Sequence, residues 1–254
     1  MDEVVFWGVA YACILAATVA YGLFLWRKAD MAALIGRVTG GISAGLMAAG
    51  LALRLLRMGR WLPVGGGEFA VAVGIVTIGM FLVRERRGEV VGAGAGILGL
   101  VLLLYSWALW SLVVRSETVP SPAGSPHFVE VLLALLGAVA YGCMLVSGGI
   151  GLVGLIPSRW SVMARPPLEA LELESWRTFV GGASLLSGEL LVKALVMYLW
   201  GRDLWSPEAG LLGPLAVGAV CGGALMVMQA DRWRSHLASL TAVMACLAIF
   251  SGGV

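Results

Sequence analysis

Residues 90–114 read VVGAGAGILGLVLLLYSWALWSLVV, without one charged side chain. Wound as a helix at about 1.5 Å per residue, this run exceeds the roughly 30 Å hydrocarbon core of a bilayer. Inside hydrocarbon a backbone N–H or C=O has no water partner, so a chain crosses as helices or as a closed barrel. The apolar residues are continuous rather than alternating, which predicts a helix.

Working outward, seven more apolar runs occupy residues 4–25, 34–53, 68–83, 128–156, 177–199, 208–229 and 236–253. The run at 68–83 is the shortest and spans if the bilayer thins or flanking side chains snorkel. All connections are short, the longest being 157–176. The fold class expected is all-α: a polytopic membrane helix bundle of about eight transmembrane helices in a single integral membrane domain, 1–254. Composition agrees, with 60% hydrophobic and 13% charged residues and a mean hydropathy of +0.94, which excludes an ordinary soluble domain. The net charge is +2, and no Lys/Arg block offers a footprint for nucleic acid, which is excluded as a partner. The lipid bilayer is the expected surrounding. Met1-Asp2-Glu3 lacks the cationic start of a signal peptide, so the first run is expected to stay as a span.

Lys and Arg favour cytoplasmic loops. The first, third, fifth and seventh connections hold Arg27, Lys28 and Arg37; Arg84, Arg86 and Arg87; Arg159 and Arg165; Arg232 and Arg234. The others hold Arg54, Arg57 and Arg60; Arg115; and Arg202. The bias predicts a multi-pass protein of the cell membrane with both termini on the external face, beside the loops around Trp61, His127 and Trp205.

The four cysteines, Cys13, Cys143, Cys221 and Cys246, lie in apolar runs with no CxxC, CxxCH or metal-ligand spacing. They read as packing residues, and no metal site is expected. Glycine is abundant, at 36 residues, and recurs at four-residue spacing in Gly41/Gly45, Gly92/Gly96 and Gly218/Gly222. Small residues so spaced let helix backbones approach closely in lipid. Residues 94–99 also satisfy GxGxxG, but no strand precedes them and a phosphate cannot sit in a lipid-embedded run.

Glu189 and Lys193 stand one helical turn apart inside the run 177–199, in the order that favours pairing. Ionisable groups at such depth cost roughly 2.5–3.5 kcal/mol each on insertion scales and usually face a bundle interior or a wet cavity. Two readings stay open. The pair either neutralises itself, with Lys193 snorkelling outward, or lines a cavity for a polar head group, a quinone or a proton path.

The segment Trp200-Gly201-Arg202-Asp203-Leu204-Trp205-Ser206-Pro207-Glu208 places two tryptophans beside charges at the external interface, where indole rings are favoured in any case. With its surroundings it resembles the tryptophan-rich signature of the cytochrome c assembly family, which handles haem at the outer membrane face and in which this loop reads roughly WGxYWxWDPKE. Trp200-Gly201 matches the start, and Trp205, Pro207 and Glu208 match the end after a short contraction, with Ser206 where the family has Asp. Leu173-Glu174-Ser175-Trp176-Arg177-Thr178, followed by Ser187-Gly188, is similar to its L-x-x-x-x-Y-R-T segment and small-residue pair. Arg60-Trp61-Leu62-Pro63 and then Glu68 resemble an external segment of that family, without its Asn and Tyr. The run from Pro126 through Tyr141-Gly142 resembles the helix that begins near a haem-ligating His, and Ile249-Phe250-Ser251-Gly252-Gly253 resembles F-x-x-x-G-V. The likeness covers most of the chain in the same order.

The resemblance implies haem handling in cytochrome c biogenesis, haem as cofactor, membrane or cytochrome c-type protein partners, and a cofactor-binding set of Trp61, Glu68, His127, Trp200, Trp205 and Pro207. The chain departs from the family in its histidines. The family's ligand positions fall at Leu132 or Leu133, near 224–228 and beyond Val254, and only His127 and His236 occur. Haem iron needs a strong axial donor such as imidazole or thiolate. His127 therefore reads either as one ligand or as a solvated loop residue, and His236, beside Arg232 and Arg234, as an interfacial one. The alternative function is a non-catalytic subunit of a larger respiratory or electron-transfer complex, a scaffold with possible quinone docking. A small transporter coupled through Glu189 and Lys193 has less support, since no matched broken helices mark an inverted repeat. No nucleophile and base can be paired, so an enzyme is not expected.

Overall fold

The structure, a computed structural model, describes residues 3–27, 29–59, 63, 65–87, 90, 92–114, 128–155, 168–199, 218, 240, 243, 244, 246, 247 and 249. Among these, six helices are long and apolar enough to cross a membrane. They are α1 (Glu3–Arg27), α2 (Asp30–Arg57), α3 (Gly66–Arg86), α4 (Gly94–Leu109), α5 (Phe128–Leu155) and α6 (Leu168–Leu199). A π-helical turn, Trp110–Val114, carries α4 onward. No strand occurs among the described residues. The protein is thus an all-helical, multi-pass membrane bundle. The expected spans 208–229 and 236–253 lie outside the described residues, apart from Gly218 and the residues at 240–249 named above, which are helical.

Charge placement suits the helix dipoles. Glu3, Asp30 and Glu68 sit in the first turns of α1, α2 and α3, and Arg27, Arg54 with Arg57, and Arg84 with Arg86 sit in their last turns. Three elements exceed the sequence expectation by five residues or more. α2 covers Asp30–Arg57 rather than 34–53. α3 is a full-length span rather than the short 68–83, because Gly66, Gly67 and the polar turn at its far end are helical too. α6 begins at Leu168 rather than 177, which shortens the expected long connection. Leu171 and Ser175 in the added turns are buried.

Successive helices run antiparallel. Arg54 at the end of α2 meets Glu68 at the start of α3; Gly67 faces Ser111 and Leu112 at the far end of α4; Gly96 near the start of α4 meets Gly149 near the end of α5. Reciprocal bonds join α5 to α6. The Ser147 hydroxyl donates to the Ser175 carbonyl at 2.8 Å, and the Ser175 hydroxyl donates to the Ser147 carbonyl at 3.0 Å. α4 sits centrally, touching α1, α3 and α5. Trp7, Tyr21, Tyr105, Tyr141, Phe81 and Phe179 fill the interior. Outward faces are apolar as well, as with Val9, Val19 and Leu23 on α1 and Leu34, Val38 and Ile42 on α2, which is what a surface wetted by lipid requires.

Glycine spacing identified some contacts and missed others. At the α4–α5 crossing a Cβ on Gly149 would lie 2.5 Å from Ile97 Cγ1 and 2.6 Å from the Ile97 backbone, and one on Gly96 would collide with the Gly149 carbonyl. Gly41 and Gly45 do not make the expected close approach. A Cβ on Gly41 meets only Leu82 at 3.8 Å, and Gly45 has open space. Gly218 packs on Leu190, and Gly222 lies outside the described residues. Cys143 and Cys246 are buried and unbonded, as packing residues would be, and Cys13 is half-buried.

Gly149→Val should therefore destabilise the bundle by about 1–3 kcal/mol through overpacking, whereas Gly45→Ala should shift stability by no more than roughly 1 kcal/mol. Thermal unfolding of both variants in mild detergent checks the contrast. Equal losses at the two positions would contradict the assigned crossing.

Candidate functional site

Three clusters of charge and one isolated pair carry the polar chemistry of the described residues. The first joins three helices at the end of the bundle where α1 and α3 begin. Arg54 Nε donates to Glu68 Oε1 at 2.9 Å, and Arg54 Nη1 lies 3.6 Å from Glu3 Oε1. Arg57 approaches the other Glu3 oxygen at 4.0 Å. Glu68 and Arg54 are both buried. Glu68, expected among cofactor-binding residues, thus has its carboxylate engaged by a guanidinium of α2.

The second cluster lies at the opposite end. The Tyr21 hydroxyl donates to Glu85 Oε2 at 2.7 Å, and Arg37 Nε donates to the same oxygen at 3.1 Å, linking α1, α2 and α3. Gly36 and Gly94 press on the two sides of the Tyr21 ring, where a Cβ would come within 2.7 Å and 2.6 Å. The third ties α3 to α6: Arg84 Nη1 donates to Thr178 Oγ1 and, at 3.4 Å, to Glu174 Oε2. Arg177, on the outer side of Glu174 at 3.3 Å, is 64% exposed and adds little.

Glu189 and Lys193 do pair, as the sequence spacing indicates. Lys193 Nζ sits 3.0 Å from Glu189 Oε1, with the carboxylate side chain 2% exposed and the lysine 22%. The Glu189 carboxylate faces Gly137 of α5, where a Cβ would lie about 3 Å from it. Its second oxygen, Oε2, is buried and has no hydrogen-bond partner among the described residues.

Trp61, His127, Trp200, Trp205 and Pro207 lie outside the described residues. The helix ends that flank them gather at one end of the bundle: the end of α2, the starts of α3 and α5, and the end of α6. Of the family ligand positions, Leu132 is exposed and Leu133 buried, in the second turn of α5. Among the described residues no three His, Cys, Asp or Glu side chains gather as a metal site. Both histidines of the chain, His127 and His236, lie outside the described residues, and the Glu68 carboxylate is engaged by Arg54.

Sequence reasoning missed the Tyr21–Glu85–Arg37 and Arg84–Glu174–Thr178 clusters. The only available signal was the presence of acids, Glu85 and Glu174, beside the arginines used to assign orientation. Neither known protein families, nor curated proteins, nor solved structures provide a match to this chain.

Removing Arg54 takes the buried guanidinium away from Glu68 and one of two cations away from Glu3. Arg54→Met should cost about 3–5 kcal/mol, the usual penalty for breaking a buried pair, and Arg54→Met with Glu68→Met should recover most of it. Unfolding of the single and double variants in detergent decides this. Equal instability of the two would show that packing, not charge, sets the cost.

Proposed function

We propose that this chain is a non-enzymatic, eight-span subunit of a larger membrane assembly of the cytochrome c biogenesis or electron-transfer kind, acting as a scaffold in the cell membrane with both termini external. The observation that supports this is where the buried charge goes. Arg54, Glu68 and Glu3 close one end, Tyr21, Glu85 and Arg37 close the other, and Arg84 with Glu174 binds α3 to α6. Each joins helices to one another, and among the described residues these clusters leave no converging set of polar groups for chemistry on a substrate. A packed bundle whose described outer faces are mainly apolar suits a protein whose partners are other membrane proteins.

A second reading, haem handling in cytochrome c biogenesis, draws support from the gathering of helix ends described above. The segments holding Trp61, His127 and Trp200 to Pro207 are all attached at that one end. There, tryptophan faces would hold a porphyrin and His127 would supply one axial donor. A face so built would meet a cytochrome c-type partner.

Purification from native membranes in mild detergent should bring down redox subunits in fixed ratio, with no Soret band belonging to this chain. Isolation as a single species free of partners would count against the scaffold. A near-stoichiometric Soret band that weakens in His127→Ala would instead establish the haem reading.

A further inference from the structure

Glu189 differs from every other described carboxylate in depth and in what holds it. Glu3 and Glu85 also have a buried oxygen without a hydrogen-bond partner, but Glu3 stands in the first turn of α1 and Glu85 in the last turns of α3. Both are answered by cations from another helix, Arg54 and Arg57 at Glu3 and Arg37 at Glu85. Glu189 is ten residues from the end of α6, roughly 15 Å at 1.5 Å per residue, which is about half the thickness of a hydrocarbon core. A carboxylate there with an unmatched oxygen is costly, and removing its charge removes most of that cost.

Among the described side chains, one charged group answers it. Residues 131–155 of α5 carry no charged side chain. Of the titratable groups of α5 whose side chains are described, both are turned elsewhere: Tyr141 meets Phe69 edge to face, and Cys143 packs against Gly182, about two turns below Glu189; Glu130, in the first turn of α5, lies outside the described side chains. Gly218, the other described neighbour on this side, touches Leu190 and brings no side chain. Of the charged side chains described, Lys193 alone is in contact, and it is the more exposed partner. Its stem is long enough to reach toward the interface about two turns above.

We propose that Glu189 is a reversible proton-binding site within the membrane, loaded through Lys193. The Lys193 ammonium gives one proton to the Glu189 carboxylate: an N–H bond breaks, an O–H bond forms, and both groups become neutral. Lys193 then swings toward the interface and takes a proton from water, so the net change is one proton taken up by the protein. The absence of a Cβ at Gly137 leaves room for the carboxyl to turn between the two states. No interhelical clamp opens during this step, because donor and acceptor belong to one helix. This site is independent of the scaffold and haem readings.

The test uses the full-length protein in lipid nanodiscs, with infrared difference spectra recorded between acidic and alkaline buffer. The wild type should show a protonated-carboxyl C=O band that disappears on alkalinisation and is missing in Glu189→Gln. In Lys193→Met the band should persist to a proton concentration about tenfold lower or more, because the nearby cation that favours the carboxylate is gone. Glu189→Gln keeps a hydrogen-bonding group of the same size, and thermal unfolding confirms that each variant is folded. Difference spectra identical in wild type and Glu189→Gln would overturn the proposal. So would a Glu189 band that stays constant at every pH, which is the behaviour of a fixed, structural acid.

Discussion

An ion inside hydrocarbon must find its counter-ion within a few ångströms or not be there at all, and the arrangement of this bundle follows from that requirement. Lipid tails are as apolar as leucine, so the hydrophobic effect inserts the helices but does little to choose their neighbours. Buried charge does the choosing here. Arg54 on α2 meets acids from α1 and α3, Glu85 on α3 meets donors from α1 and α2, and Arg84 on α3 meets α6. α3 contributes to all three clusters, so its rotation and depth are fixed from both ends. A one-residue shift of that helix would turn Glu68 and Glu85 away from their partners together.

Close packing completes what charge begins. The Tyr21 ring fits between Gly36 and Gly94, so its hydroxyl reaches Glu85 only if α2 and α4 lie against it on both sides. On α4 and α5, Gly96 and Gly149 let two backbones touch, and the paired serines, Ser147 and Ser175, continue the contact from α5 to α6. Small residues and short hydroxyls supply at these crossings the dispersion contacts and hydrogen bonds that lipid cannot offer.

The sequence reveals most readily what is local. Hydropathy located the six described helices because the cost of exposing backbone to hydrocarbon accrues along a single segment. Their ends were less visible. Residues 168–176 of α6 are too polar to read as a span, yet Leu171 and Ser175 are buried and extend the helix. Glu189 and Lys193 were legible as a pair because one turn separates them, whereas Tyr21 and Glu85 lie 64 residues apart and nothing in either stretch names the other. Glycine spacing shares this limit. Gly41/Gly45 and Gly92/Gly96 look alike in sequence, but Gly96 lies at a helix crossing while Gly41 and Gly45 do not, since the partner helix decides which small residue is used.

The clamps and the isolated pair also differ in what it takes to open them. Separating Glu68 from Arg54, or Glu85 from Tyr21 and Arg37, requires side chains on different helices to part, and in the second case the buried Glu85 carboxylate loses its cation. Glu189 and Lys193 ride on a single helix, with the lysine partly exposed, so their contact can break through side-chain rotation alone. Rotation of an exposed side chain is among the fastest motions of a protein, and movement of packed helices among the slower ones. The interhelical clamps hold charge between helices, whereas the Glu189–Lys193 pair sits within one helix, where a change of state leaves the bundle intact.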